Sequence, residues 1–389
     1  MAGTRDIVII GAGIGGLALA AALARAGHSV EVLERAARIE EVGAGLQITP
    51  NGHRVIEALG LAEKLATLSV ASRAVSLRDY RKGREVFRHP LTRHEGRYRL
   101  VHRADLIALL EAAARVAGAE ITLGAEVTRV IPGTPPRLEG QGVARSPDLI
   151  VGADGVRSIV RPVLNGISRP AFSGQVAWRA IQPNLDGHPP EARVHMGPGR
   201  HMVSYPVRDG HILNIVGVEE RADWAEEGWS HRDDPANLLR AFKDFAPEVR
   251  RMLGGVSDVG LWGLFRHPVA RVWGQGNVAL LGDAAHPTVP FLAQGANMAL
   301  EDAWTLAALL DRHADTDAAL GRYRDLRHDR CARIVAAAEA NARAWHLSSP
   351  PLRFGMQTAL RLAGAIRPEL ITSRFDWVHD HDPVTAAGT

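Results

Sequence analysis

The chain of 389 residues has a single cysteine, Cys331. That excludes an internal disulfide and any cysteine-rich zinc site, and it fits a reducing, cytoplasmic compartment. Lysine is nearly missing as well: Lys64, Lys82 and Lys243 are the only three. No basic block with interleaved aromatics stands out, so no nucleic-acid partner is expected. Lys+Arg number 46 and Asp+Glu 43, a formal charge of +3 that defines no partner class, although local arginines can attract a small anion. No apolar run approaches ~20 residues, so membrane insertion is not expected. The apolar residues 7–10 run straight into glycines without a long h-region or cleavage site, and no secretory signal peptide is expected. The seventeen histidines include no His-x-x-x-His pair on a helix, so no metal site is expected. There is no Gly-x-Ser-x-Gly elbow, internal repeat or low-complexity tract. What remains, 46% hydrophobic and 23% charged, is the composition of a folded protein. At about 150 residues per domain, the length suggests two or three domains.

The strongest local signal comes first. Residues 6–10 (DIVII) read as a buried parallel strand, followed by Gly11-Ala12-Gly13-Ile14-Gly15-Gly16, an Ala/Leu helix to about Gly27, and a strand over 28–33 that ends at Glu34. A G-x-G-x-x-G run means something only in this strand–turn–helix–strand setting. Gly11 permits the tight turn, Gly13 lets a pyrophosphate approach the backbone, and Gly16 allows close helix–strand packing. The helix start offers free N–H groups and a positive dipole end to phosphate. Glu34 stands where a carboxylate can accept from a ribose diol. These residues indicate a dinucleotide and do not separate NAD from FAD.

Two further strand ends carry motifs: 148–151 runs into Gly152-Ala153-Asp154-Gly155, and 278–281 into Gly282-Asp283-Ala284-Ala285-His286-Pro287. Pro290-Phe291-Leu292-Ala293-Gln294-Gly295-Ala296-Asn297 then leads into a helix near Met298. In order and spacing the three motifs resemble the single-component, class A FAD-dependent aromatic hydroxylases, the salicylate, 3-hydroxybenzoate and 6-hydroxynicotinate hydroxylases above all. The resemblance implies non-covalent FAD, NADH or NADPH as a transient reductant, O2 as co-substrate, and a monomer or homodimer. It implies that Asp283 binds a ribitol or ribose hydroxyl. Asp154 and Gly155 would serve the pyrophosphate and the pyridine-nucleotide approach, and Arg103, in His102-Arg103-Ala104-Asp105-Leu106, would contact the flavin. Gly15, Arg35, Gln47, Gly282, Pro290, Gly295, Ala296 and Asn297 complete the implied cofactor set, with Gln294 beside the reaction. A helix start at Gly295-Ala296 would stabilise negative charge on the reduced flavin.

Between the second and third motifs the pattern turns to alternation, with strands expected over 175–181, 192–196, 201–207 and 211–218 and an Asp209-Gly210 hairpin turn. Residues 75–89 alternate too. The expected fold is α/β: a Rossmann-like FAD-binding domain (1–70, 97–170, 268–347) interleaved with a mixed or antiparallel sheet that binds substrate (71–96, 171–267), as in p-hydroxybenzoate hydroxylase. C-terminal helices and a tail occupy 348–389. A helix over 352–366 is expected to pack on the body, and His379-Asp380-His381-Asp382 to be a solvated segment.

On a strand, His201 and Tyr205 share a face. If the hairpin loop is Asp209-Gly210, Asn214 lies opposite Tyr205. The His-x-x-x-Tyr-Pro pattern resembles the family's salicylate and hydroxynicotinate types, which implies that His201, Tyr205, Asn214, Pro290 and Phe291 face a small phenolic or heteroaromatic acid. His201 would take or relay its proton, so that the ring carbon attacks an FAD C4a-hydroperoxide. Three alternatives remain at this level. A flavin halogenase lacks support, since no Trp-x-Trp-x-Ile-Pro signature is present. A hydroxylase of a larger phenolic or quinone precursor is the second, and a non-catalytic dinucleotide-fold binding protein the third.

Overall fold

The strand Asp6–Ile10 is apolar on both faces and buried on both, which requires a parallel sheet with helices on each side. In the computed structural model, which describes residues 3–39, 44–222 and 231–388, this strand lies inside a six-stranded sheet. The order is Gly274–Gln275, Val278–Leu280, Leu149–Gly152, Asp6–Ile10, Ser29–Glu34, Glu120–Leu123. Every pairing is parallel except the first. The three motif-bearing strands are therefore neighbours, and their carboxyl ends open on one edge, where α/β sheets bind ligands.

The helix Ile14–Arg25 is buried on nearly every side, packed against Gly295–Arg312 and Arg103–Val116. Its glycines make that approach possible. A Cβ on Gly15 would overlap the Leu281 side chain and stand 3.2 Å from the Ala299 Cβ, and one on Gly16 would overlap the Gly11 carbonyl.

The second sheet has eight strands, in the order Arg232–Asp233, Val259–Arg266, Ala171–Pro183, Ile212–Glu220, Arg200–Val207, Ala192–Gly197, Ala74–Asp79, Glu85–Pro90. It is mixed as expected: Ala192–Gly197 pairs parallel with Ala74–Asp79, and the other pairs are antiparallel. The hairpin loop is longer than the expected two residues: it runs from Arg208 to His211, with Arg208 (φ 50°), Asp209 (φ 55°) and Gly210 (φ 85°) all left-handed. The register is the expected one, Tyr205 pairing with Asn214. Two further sheets have three strands each. Among the described residues no helix is long and apolar enough to cross a membrane.

The C-terminus bears out one expectation and corrects another. Helix Pro350–Ile366 lies on the strand Glu85–Pro90, with Gly364 against the Phe87 ring, yet Leu352, Phe354, Leu362 and Ile366 stay exposed. The segment His379-Asp380-His381-Asp382 is not solvated but strapped down. Arg54 donates to the His379 and His381 carbonyls at 2.7 and 3.2 Å, and Arg93 bridges Asp376 and Asp380. Burial and neighbouring His94 and His89 push His379 down to about 3. Backbone carbonyls that need donors explain the strap: Arg54 supplies them within the segment, and Arg330 supplies them to the preceding Trp377 and Val378 carbonyls.

Candidate functional site

The edge of the parallel sheet meets the face of the eight-stranded sheet at a cleft of about 290 Å³. From the flavin-type motifs it is lined by Gly13, Gly15, Gln47, Arg103, Gly155, Gly282, Asp283, Pro290, Gly295 and Ala296. From the sheet come His201 and Tyr205, and from the intervening loop Phe291 and Gln294. Residues nearly 300 positions apart in the chain thus share one surface.

The glycine turn is built as the sequence required. Gly11 has φ +106° and its N–H donates to the Leu33 carbonyl at 2.8 Å. Among the described residues nothing stands within 4 Å of where a Cβ on Gly13 or Gly155 would lie, so their backbone is open for a ligand to approach. Glu34 accepts from the Ala12 and Ala36 N–H groups, each at 2.9 Å. Each of its oxygens keeps a second lone pair for a hydroxyl. Arg35 is exposed and outside the cleft. Asp283 opens onto the cleft. The depth of that position raises its carboxyl above the usual range, against the pull of His286, Arg103 and His267.

Four expected site residues turn out to be braces. Asp154 accepts from the Ile159 and Val160 N–H groups at 2.8 and 3.3 Å and so holds the turn that presents Gly155. Asn214 accepts from the Gly45 N–H at 2.7 Å and does not line the cleft. Asn297 is fully buried: its side chain accepts from the Thr49 N–H at 3.0 Å and donates to the Gln47 and Ala293 carbonyls at 3.0 and 2.6 Å. Gln294 lines the cleft, but its amide is spent on Asn51 at 2.9 Å and Thr49 at 3.0 Å, so it is not a free catalytic group. In each case a short polar side chain satisfies buried backbone or amide groups that have no water to turn to.

One cleft residue and two partners of cleft residues were missed. Arg179, from the strand Ala171–Pro183, lines the cleft with its guanidinium 4.9 Å over the Trp262 ring. Tyr98 donates to Gln47 at 2.7 Å. His346, at the end of helix Thr316–Trp345, meets His201 Nδ1 with its Nε2 at 2.6 Å. Nothing local marks these residues, since each acts across more than fifty positions of chain.

Electrostatics separate the roles of the two expected sheet residues. His201 is fully buried; burial, with His346 beside it, lowers it well below the usual histidine range. It is therefore neutral, and its Nε2 has no hydrogen-bond partner among the described residues. Burial pushes Tyr205 up to about 12, against the charge of Arg179 and a hydrogen bond with Gln47, so it remains a neutral O–H donor.

A family model described as an FAD binding domain matches residues 4–338. A 3-hydroxybenzoate 6-hydroxylase from Klebsiella oxytoca is 35% identical over 363 residues, covering 89% of this chain and 90% of its own. The chain belongs to the FAD-dependent aromatic hydroxylases. A 3-amino-4-hydroxybenzoate 2-monooxygenase from Streptomyces cremeus is 35% identical over 357 residues, 89% of each chain. A 6-hydroxynicotinate 3-monooxygenase from Bordetella bronchiseptica is 32% identical over 356 residues, 88% of this chain and 92% of the other. Among solved structures, Klebsiella pneumoniae HpxO with FAD and uric acid superimposes with a TM-score of 0.84 at 27% identity, covering 94% and 95% of the two chains. A salicylate hydroxylase substrate complex gives 0.85 at 22% identity over 99% and 97%, which speaks for the fold.

The site of this family member fits FAD on its own geometry. It has an open glycine turn at a helix start, an acid at the end of the second strand, a carboxylate on the cleft floor, and a second helix start at Gly295–Ala296.

Proposed function

We propose that the chain is an NADH- or NADPH-dependent monooxygenase that places one oxygen atom of O2 on the ring of a small phenolic or hydroxylated heteroaromatic acid. The observation that carries this reading is His201: a neutral, fully buried base lining the cleft, with an Nε2 that no described residue claims. The substrates named for the three relatives, a hydroxybenzoate, an aminohydroxybenzoate and a hydroxynicotinate, support the substrate class.

FAD, when bound, supplies the electron transfer and dioxygen activation that no side chain here can perform. The glycine turn and the start of Ile14–Arg25 would hold the pyrophosphate, Glu34 a ribose, and Asp283 a ribitol or ribose hydroxyl. The start of Gly295–Arg312 lines the cleft and would favour negative charge on the bound flavin. His201 Nε2 takes the phenolic proton, which makes the ring electron-rich. Tyr205 donates its O–H to the same oxygen, and Arg179 pairs with the carboxylate. Phe291, Val216, Val218 and Trp262 keep water from the reacting atoms. Gly155, open on the cleft, would lie on the approach of a transient nicotinamide cofactor. Residues 1–70, 97–170 and 268–347 form the flavin domain, with 71–96 and 171–267 as its substrate-binding roof.

The test is a panel of 3-hydroxybenzoate, 3-amino-4-hydroxybenzoate, salicylate and 6-hydroxynicotinate, offered to the FAD-loaded protein with NADH or NADPH. Expected are substrate-stimulated oxidation of the reductant and a product heavier by one oxygen atom. Reductant oxidation that no phenolic acid stimulates, with no oxygenated product, refutes the reading.

A further inference from the structure

The proton that His201 takes cannot stay there. A fully buried imidazolium lacks the hydration that stabilises its charge. The structure shows where it goes. His201 Nδ1 lies 2.6 Å from His346 Nε2, and His346 Nδ1 lies 3.0 Å from Glu220 Oε1. Exposure rises along that line: His201 is 0% exposed, His346 3%, and the Glu220 side chain 50%.

We propose that His201, His346 and Glu220 form a proton relay that carries the substrate's phenolic proton from the cleft to bulk water. The proposal rests on the reading of His201 as the base for a phenolic substrate.

The hydrogen bonds set the tautomers. An ionised carboxylate only accepts, so Glu220 takes the bond from His346 Nδ1–H. Gln175 Nε2 also approaches that nitrogen, at 3.3 Å; the shorter, charge-assisted bond to Glu220 prevails, and the Gln175 amide turns its oxygen to the ring. The lone pair of neutral His346 is then on Nε2, where it accepts from His201 Nδ1–H. That leaves the lone pair of His201 on Nε2, the nitrogen with no hydrogen-bond partner among the described residues. A carboxylate at the surface thus sets the base in the cleft.

The transfer conserves atoms and charge. The phenolic O–H breaks as His201 Nε2–H forms; His201 Nδ1–H breaks as His346 Nε2–H forms; His346 Nδ1–H breaks as the Glu220 acid forms. Neither ring accumulates a charge. When the product's phenolate is reprotonated, the same steps run backward and reset both rings. The geometry is held rigidly. The His346 carbonyl accepts from the Gly199 N–H at 3.1 Å, Gly199 accepts from the Glu220 N–H at 2.8 Å, and Phe291 and Trp345 flank the His201 ring with centroids at 5.3 and 5.0 Å.

Two measurements test the relay. In 15N NMR of histidine-labelled, FAD-loaded protein, with signals assigned by His346→Gln and His201→Asn, both rings of the parent are expected as neutral Nδ1–H tautomers. The Nε2–H form on either ring overturns the relay, and this readout needs no substrate. The second measurement follows proton release when 3-hydroxybenzoate is mixed anaerobically with the protein and a pH indicator. Glu220→Gln, at a half-exposed site, should slow release by about a hundredfold, the low end for a positioned proton-transfer group. Substrate affinity and the flavin spectrum should stay unchanged, and Glu220→Asp should restore the rate. Parent-like release in Glu220→Gln overturns the relay. If His201→Asn is slow while Glu220→Gln and His346→Gln match the parent, the relay alone fails. If His201→Asn also matches the parent, the base assignment fails with it.

Discussion

Replacing Arg327 with methionine removes the cation at the centre of a buried charge cluster behind the cleft. Arg327 is 1% exposed. It pairs with Glu301 through Nη1 and with Asp302 through Nε at 2.7 Å. After the change Glu301 keeps Arg330 at 2.8 Å and Asn51 at 2.6 Å. Asp302 keeps His286 at 2.5 Å and the Gly282 N–H at 3.1 Å. Breaking a buried pair costs ~3–5 kcal/mol because the remaining charge loses its partner. The surviving partners place this case at the low end, about 3 kcal/mol. Methionine fills much of the vacated volume, so a cavity adds little. At ~2–4 °C per kcal/mol for domains of 150–250 residues, Tm should fall by ~6–12 °C. The assay is thermal unfolding followed by circular dichroism at one fixed concentration of added FAD, since bound ligand also shifts Tm. A fall smaller than about 3 °C refutes the account.

The same cluster predicts a pH dependence. Burial alone would raise Glu301 and Asp302. Arg327 and Arg330 outweigh it at Glu301, and His286 and Arg327 at Asp302, so both carboxyls lie below the ordinary range. A depressed carboxyl contributes stability that is present above its unfolded pKa, about 4, and is lost as pH falls through the folded value. The parent should therefore lose stability below about pH 4, and Arg327→Met should lose less over the same interval. The gap between them narrows in acid. A constant gap from pH 7 to pH 3 contradicts this sign.

Asp283→Ala should weaken FAD binding by roughly tenfold to a hundredfold, from ~1.5–3 kcal/mol for a charge-assisted hydrogen bond, as read by flavin fluorescence titration. Unchanged affinity counts against the hydroxyl assignment. Gly16→Ala puts a methyl group into the Gly11 carbonyl, so the protein should purify without colour even with FAD in the buffer; a yellow product shows that the turn can yield. Arg179→Met should raise KM for carboxylated phenols by about tenfold or more, with a smaller change in kcat. An equal effect on the matching uncharged phenol removes the carboxylate assignment. FAD should leave the chain on denaturation, because Cys331 is buried and free; colour that stays with the precipitate refutes non-covalent binding.

What could be read from the sequence was local. The turn at Gly11–Gly16 and the acid at Glu34 lie within one βαβ unit, and their spacing carries the geometry. The Tyr205–Asn214 pairing also followed from local chemistry, because a turn centred on Asp209-Gly210 sets the register even though the loop itself spans Arg208 to His211. A slip of one residue would turn every side chain over. The partners of these residues were not legible. His346 lies 145 positions from His201, and no periodicity marks a histidine at the end of a long helix as a neighbour of a strand. Arg179 reads as an ordinary arginine in an alternating strand until Trp262 is placed beneath it. The tail at 379–382 looked polar and therefore solvated, whereas Arg54 uses the His379 and His381 carbonyls as acceptors and Arg330 holds the preceding Trp377 and Val378 carbonyls. Composition reports what a segment can bind, and the fold decides whether water or protein does the binding.

The misread amides show how the cleft is held in shape. Ala293 sits at φ +54°, a left-handed conformation that costs a residue with a Cβ ~1–2 kcal/mol. It is one residue before Gln294, the cap of the helix whose start faces the cleft. The Asn297 amide holds the Ala293 carbonyl at 2.6 Å, and Gln294 is tied to Thr49 and Asn51. Those contacts offset the strain and fix the loop to the segment that also carries Gln47. A helix dipole acts on a ligand only over the first turn, so its value depends on the aim of the first two or three N–H groups. On the proposed function, Gln294 and Asn297 would bear on the chemistry without touching the reacting atoms, since their contacts hold Gly295 and Ala296 in place at the cleft. Charge stabilisation built in this way needs no reorganisation at the moment of reaction.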